Sequence, residues 1–176
     1  MKYKEELTKS MKWLGQKEDT IFLGQATKYS GHAISDTLKE VPKDKLIELP
    51  VIEEVQMGMC AGLSLEGYIP ISIYPRFNFM MLAINQLINH LDKMEEMTKG
   101  NLISKVIIRV AVGSIKPFDG GLQHTQNYTE SLKKMITNIK LVELHNAKDI
   151  KSAFESAYLR NGSTIIVEWG DFYNDK

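Results

Sequence analysis

The regular alternation of short apolar runs with segments of helical periodicity is what most constrains this 176-residue chain. Leu7, Met11 and Leu14 recur at helical spacing and predict a helix over residues 3–17. An apolar run at 20–23, stopped by Gly24, reads as a buried strand. Residues 25–45 form a polar connection with room for one helix around 34–38. A short strand at 46–49 ends at Pro50, and a helix over 52–66 meets Gly67 as its stop. Beyond it the pattern predicts a strand at 69–73, partly interrupted by Pro70, and a long helix at 78–94. A strand at 105–112 and a glycine-rich loop through Gly121 follow. The remainder reads as a helix at 125–137, a strand at 140–144, a helix at 149–160 and a strand at 164–168. Such alternation favours an α/β fold: a mostly parallel sheet with helices on both faces. No repeat, low-complexity tract or linker breaks the pattern, so residues 1–176 read as a single domain.

Charge narrows the function. Lys+Arg and Asp+Glu both number 22, and the absence of a basic excess argues against a nucleic-acid partner. The single cysteine, Cys60 between Met59 and Ala61, excludes a disulfide within the chain, as expected of a cytoplasmic protein. It reads as a small buried apolar residue rather than a nucleophile. The opening residues lack the apolar core of a signal peptide, and the stretch from Phe77 to Leu91 is too short and too polar to span a bilayer. No membrane association is expected.

Chemistry concentrates in Glu48-Leu49-Pro50-Val51-Ile52-Glu53-Glu54, which ends a strand and opens a helix. Open parallel sheets place ligands at the carboxyl ends of strands. Carboxylates in a first helical turn also stabilise their own helix, which is a sufficient reason for Glu53 and Glu54 to be there. The helix itself carries Gly58 and Gly62, each costing about 1 kcal/mol relative to Ala. Together with Ala61 they make a smooth strip. Either it packs tightly on the domain's own sheet, or it meets a helix of another subunit.

Pro50-Val51-Ile52-Glu53 followed by Gly58, Gly62 and Gly67 resembles the beta subunit of 2-oxo acid dehydrogenases and, more distantly, transketolase. The likeness continues through Arg76-Phe77-Asn78-Phe79, Ala83-Ile84-Asn85-Gln86 and Gln123-His124-Thr125-Gln126. It also takes in Ile21-Phe22-Leu23-Gly24-Gln25 and Ile165-Ile166-Val167-Glu168. It implies the pyrimidine-binding domain of a thiamine diphosphate enzyme. By position Glu53 is the glutamate that bonds N1′ of the aminopyrimidine, favouring the imino tautomer that deprotonates the thiazolium carbon. The cofactor then acts as electron sink. The resemblance places Phe79 against the pyrimidine, the Val51 carbonyl near its exocyclic amine and His124 at the substrate. His32 is a weaker candidate, because the family builds part of its substrate channel there.

The chain departs from the family in several ways. It lacks the Gly-Asp-Gly motif and later asparagine that hold diphosphate and Mg²⁺, and Gly170-Asp171 lies after the last strand, away from any such loop. No metal ligand is therefore assigned. Thiamine diphosphate is expected to be shared with a partner subunit that carries the diphosphate and binds most of the Mg²⁺. The family's additional C-terminal domain is not expected here. Gln25 stands where the family often has an acidic residue, and Arg76 replaces a smaller or uncharged one. The resemblance implies a hetero-oligomeric enzyme acting on a 2-oxo acid or ketose. The alternative is a degenerate, non-catalytic homologue that organises a partner.

Overall fold

The computed structural model describes residues 1–29, 31–116 and 118–174. Six strands form one sheet in the order β2-β1-β3-β4-β6-β5. They are β1 (Thr20–Gly24), β2 (Leu46–Glu48), β3 (Ile69–Tyr74), β4 (Ile107–Val112), β5 (Lys140–Glu143) and β6 (Thr164–Trp169). Every pairing is parallel. β3 and β4 are buried along their whole length, which is why both read as unbroken apolar runs.

Side-chain alternation feeds two cores. Phe22, Ile71, Ile107 and Ile166 point to one face, where α1 (Tyr3–Gly15) and α6 (Ala147–Leu159) supply Leu7, Met11, Leu14, Ile150 and Phe154. Leu23, Ile108, Val110 and Val167 point to the other. There α2 (Glu53–Leu65) brings Met57 and Cys60, and α5 (Thr129–Met135) brings Leu132. The fold is thus the expected parallel sheet with helices on both faces.

Three local expectations need correction. Pro70 does not interrupt β3. Ile69 N–H donates to Asp19 on the β1 side, so the amide Pro70 lacks faces β4, whose pairing begins only at Ile71. The helix expected over 78–94 is broken. It comprises α3 (Phe77–Met80), a 3₁₀ turn at Met81–Ala83, a π-helical turn at Gln86–Leu91 and, further on, α4 (Met94–Met97). The wide turn lets both Leu91 and Asp92 point inward, and the Asp92 carboxylate accepts from the amides of Thr137, Asn138 and Ile139. The helix expected from 125 begins only at Thr129. Its first residues are used instead in turns: His124 N–H and Thr125 Oγ1 donate to Gly121 O, and Asn127 Oδ1 accepts from Thr129 N–H.

Across β4 and β6 runs a feature that apolar patterning hides. Arg109 is fully buried among the side chains of the α1 and α6 face and forms a two-pronged ion pair with Glu168, at 2.6 and 2.9 Å. Thr37 Oγ1 accepts from the guanidinium at 3.2 Å, and the Tyr173 hydroxyl donates to Glu168. Burial alone would push the Arg109 pKa down, but the adjacent Glu168 charge more than reverses this and raises it.

Candidate functional site

The site is built at the carboxyl ends of β1 and β3, where an open parallel sheet is expected to bind ligands. A cavity of about 480 Å³ is lined by Gln25, Ala26, His32, Pro75, Arg76, Phe79, Phe118, Gly120 and His124. It therefore gathers residues from four separate stretches singled out in the sequence. A larger cavity of about 600 Å³ lies along the β2 edge, lined in part by lysines. Glu53 lines neither cavity, but the smaller one holds His124 and Phe79 and reaches Glu53 through Gln25, so chemistry rather than size identifies it.

Glu53 opens α2 and is only 4% exposed. Its Oε1 accepts a hydrogen bond of 2.8 Å from Gln25 Nε2, and the Tyr74 hydroxyl donates to its backbone carbonyl at 3.3 Å. Among the described residues no donor is paired with Oε2. Gln25, standing where an acidic residue was expected, thus links the glutamate to the cavity without adding a second negative charge. Glu54 behaves as a surface residue, accepting from Asn85 Nδ2 at 3.0 Å.

His124 is held from three sides. Its carbonyl accepts from Gly113 N–H at 3.0 Å and its amide donates to Gly121 O at 2.9 Å. Its ring meets Phe79 edge-on with centroids 5.7 Å apart. Nδ1 lies 3.4 Å from Asn78 Oδ1, within reach of a hydrogen bond that would orient the ring. The glycines here are required: a Cβ on Gly113 would stand 2.1 Å from the His124 carbonyl oxygen, and Gly121 adopts φ +82°.

Val51 lies in the turn before α2 and is 71% exposed, at the rim and outside the cavity lining. Its neighbours on the outer face of α2, Ile52, Val55 and Met59, are exposed as well. Gly58 and Gly62 do not pack tightly on the domain's own sheet. A Cβ on Gly62 would meet nothing within 4 Å, and one on Gly58 only the Gln86 side chain, at 3.7 Å. The inner face carries Met57, Cys60 and Ala61, so α2 is apolar on both sides. Burial pushes the Cys60 thiol up to about 12, which fits a packing residue and not a nucleophile.

Sequence reasoning missed Glu48. Its carboxylate, at the end of β2, accepts from the amides of Ala26, Thr27 and Lys28 at 2.6, 2.7 and 2.9 Å and from Thr27 Oγ1 at 2.9 Å. Burial opposes its ionisation, yet these donors hold its pKa below the usual carboxylate value. It fixes a turn in which Ala26 adopts φ +55°, and so positions Gln25. A glutamate ending an edge strand beside a polar loop was the only signal in the sequence. Asp171, by contrast, is occupied by the amides of Ile115 and Lys116 and is no diphosphate loop. Among the described residues no group of three or more His, Cys, Asp or Glu side chains forms a metal site. No helix there is long and apolar enough to cross a membrane.

Residues 1–169 match the family model described as transketolase, pyrimidine binding domain. The chain belongs to this family. Curated relatives of the pyrimidine-binding domain found here are beta subunits of the pyruvate dehydrogenase E1 component. That of Rickettsia conorii is 24% identical over 156 residues, covering 86% of this chain and 47% of the relative. That of Cyanidium caldarium is 28% identical over 132 residues, covering 75% and 39%. The mitochondrial subunit of Caenorhabditis elegans is 26% identical over 172 residues, covering 96% and 48%. The chain thus spans about half, or less, of the length of these relatives. A solved structure described as split gene transketolase, inactive beta4 tetramer, superposes with a TM-score of 0.73. It is 21% identical and covers 95% of this chain and 51% of that one; at this identity the likeness is one of fold.

Proposed function

We propose that residues 1–176 form a single pyrimidine-binding subunit of a heteromeric thiamine diphosphate enzyme. The enzyme cleaves or forms a carbon–carbon bond next to the carbonyl of a 2-oxo acid or ketose. The observation that carries this reading is Glu53: a buried carboxyl group with one oxygen bonded to Gln25 and none of the described donors on the other. An accessible carboxyl oxygen with spare bonding capacity on an otherwise buried residue, at a ligand-binding edge of the sheet, is suited to a ring nitrogen. The residues fit the aminopyrimidine: Glu53 for N1′, the Phe79 ring for its face and the Val51 carbonyl for its amine. When bound, the cofactor supplies the carbanion chemistry and the electron sink. His124 and Arg76 line the cavity in which the carbonyl substrate would lie.

A partner subunit would hold the diphosphate and most of the Mg²⁺. The exposed apolar face of α2 supports this, because Ile52, Val55 and Met59 with the open Gly58 and Gly62 form a strip that another helix can cover closely. The split gene transketolase whose beta4 tetramer is inactive agrees with a need for a second chain.

The test is calorimetric titration of thiamine diphosphate and Mg²⁺ into this chain, into a co-purified partner carrying the Gly-Asp-Gly motif, and into their complex. Binding by the complex alone is expected. Mg²⁺-dependent binding by this chain alone would contradict a shared site. No binding by a stable complex would make the chain a non-catalytic organiser.

A further inference from the structure

A cavity larger than that of His124 is not used by this chemistry. It follows the β2 edge, has a volume of about 600 Å³ and is lined by Lys4, Lys28, Lys39 and Lys43, with Asp36 as the only carboxylate. Asp36 is already neutralised by Lys4 at 2.9 Å, so the ammonium groups of Lys28, Lys39 and Lys43 set the charge of the cavity mouth. No ion pair involves any of these three among the described residues. Leu38, Val41 and Leu46 line its inner wall. A concave pocket with an apolar wall and unpaired cations at its mouth has the form of a site for an amphipathic anion.

The cavity's position gives it a possible effect. Thr27, Lys28 and Tyr29 line it, while Gln25 and Ala26, immediately before them, line the cavity of His124. The turn between the two is the one pinned by Glu48.

We propose that this cavity is a second ligand site, for a small organic anion with an apolar body, such as an aromatic or short-chain acyl carboxylate, sulfonate or phosphate. The lysines receive the anionic group, and the leucine and valine side chains cover the apolar body. Occupancy holds the turn at residues 26–29 and thereby the Gln25 side chain that contacts Glu53. The site requires neither the cofactor nor the partner, so it stands or falls separately from the proposed activity.

The test is an amide-resolved NMR titration of the full chain with 8-anilino-1-naphthalenesulfonate, an anion on an aromatic body. Saturable shifts are expected at residues 27–29 and 35–43, spreading to the amide of Gln25. The surface double variant Lys39→Glu/Lys43→Glu, whose spectrum reports directly whether it is folded, should bind the probe about tenfold more weakly. Uncharged N-phenyl-1-naphthylamine should bind wild type and variant equally and more weakly than the sulfonate binds wild type. Shifts centred on Phe79 and His124, equal sulfonate binding by the variant, or an uncharged probe bound as tightly as the sulfonate would each overturn the proposal.

Discussion

Two glutamates are almost completely withdrawn from solvent, and their surroundings differ. Glu168, at 0% exposure, accepts three hydrogen bonds, two from Arg109 and one from Tyr173, with donors on both oxygens. Glu53, at 4%, has a single neutral partner, Gln25, and lies at the open end of the sheet. A buried carboxyl group with donors on both oxygens and a charged partner holds a fold together. One left partly unbonded is available to a ligand. Burial alone does not separate the two; the count of donors does.

The comparison can be broken or sharpened by substitution. The largest effect is expected from Arg109→Met, which strands a buried charge on Glu168. It should lower unfolding free energy by about 3–5 kcal/mol in urea titrations. Replacing both members with apolar residues should recover much of that loss. Glu53→Gln should do the opposite. Turnover of the complex should fall by at least about 10²-fold, and stability should change by under about 1 kcal/mol. A large loss of stability in Glu53→Gln with turnover retained would place the two glutamates in the same class.

Gly113→Ala tests the site from behind. The added carbon displaces the His124 carbonyl, and turnover should drop by about tenfold or more. Steady-state rates compared with thermal unfolding would separate displacement from unfolding. The smallest effect is a pH dependence at a third buried carboxylate. Burial disfavours ionised Asp92, but the amides of Ile139, Asn138 and Thr137 hold its folded pKa below the usual value. Lys93 lies 3.2 Å from the same carboxylate. A lowered folded pKa contributes stability above the unfolded value, and that stability is lost as pH falls through the folded one. Acid unfolding below about pH 4 should therefore be steeper in wild type than in Asp92→Asn, as denaturant midpoints measured across pH would reveal.

Much of the site was legible because it follows the strand ends. Glu53, Phe79 and His124 lie on segments that the alternation of elements brings to one edge, and the resemblance supplied their roles as expectations. What could not be read depends on donors distant in sequence. The π-helical turn exists to deliver Asp92 to a loop more than forty residues away, and nothing local in the apolar pattern marks it. Arg109 in a buried strand looks anomalous until Glu168 and Thr37 are placed beside it. Glu48 gave little sign of its role because three of its four donors are backbone amides, which no side-chain pattern displays.

The all-parallel sheet also has a consequence in time. No two of its strands can form a hairpin, so each pairing waits for a crossover connection to close. β4 and β6, neighbours in space, are joined only after the chain between them has wrapped past β5, and the Arg109–Glu168 pair cannot form until then. Such long-range closures slow a chain's folding into the millisecond-to-second range. During that interval the apolar outer face of α2 and an unpaired Arg109 are exposed together. If the proposed partner covers α2, co-expression with it should raise yield more than the stability of the isolated chain would suggest.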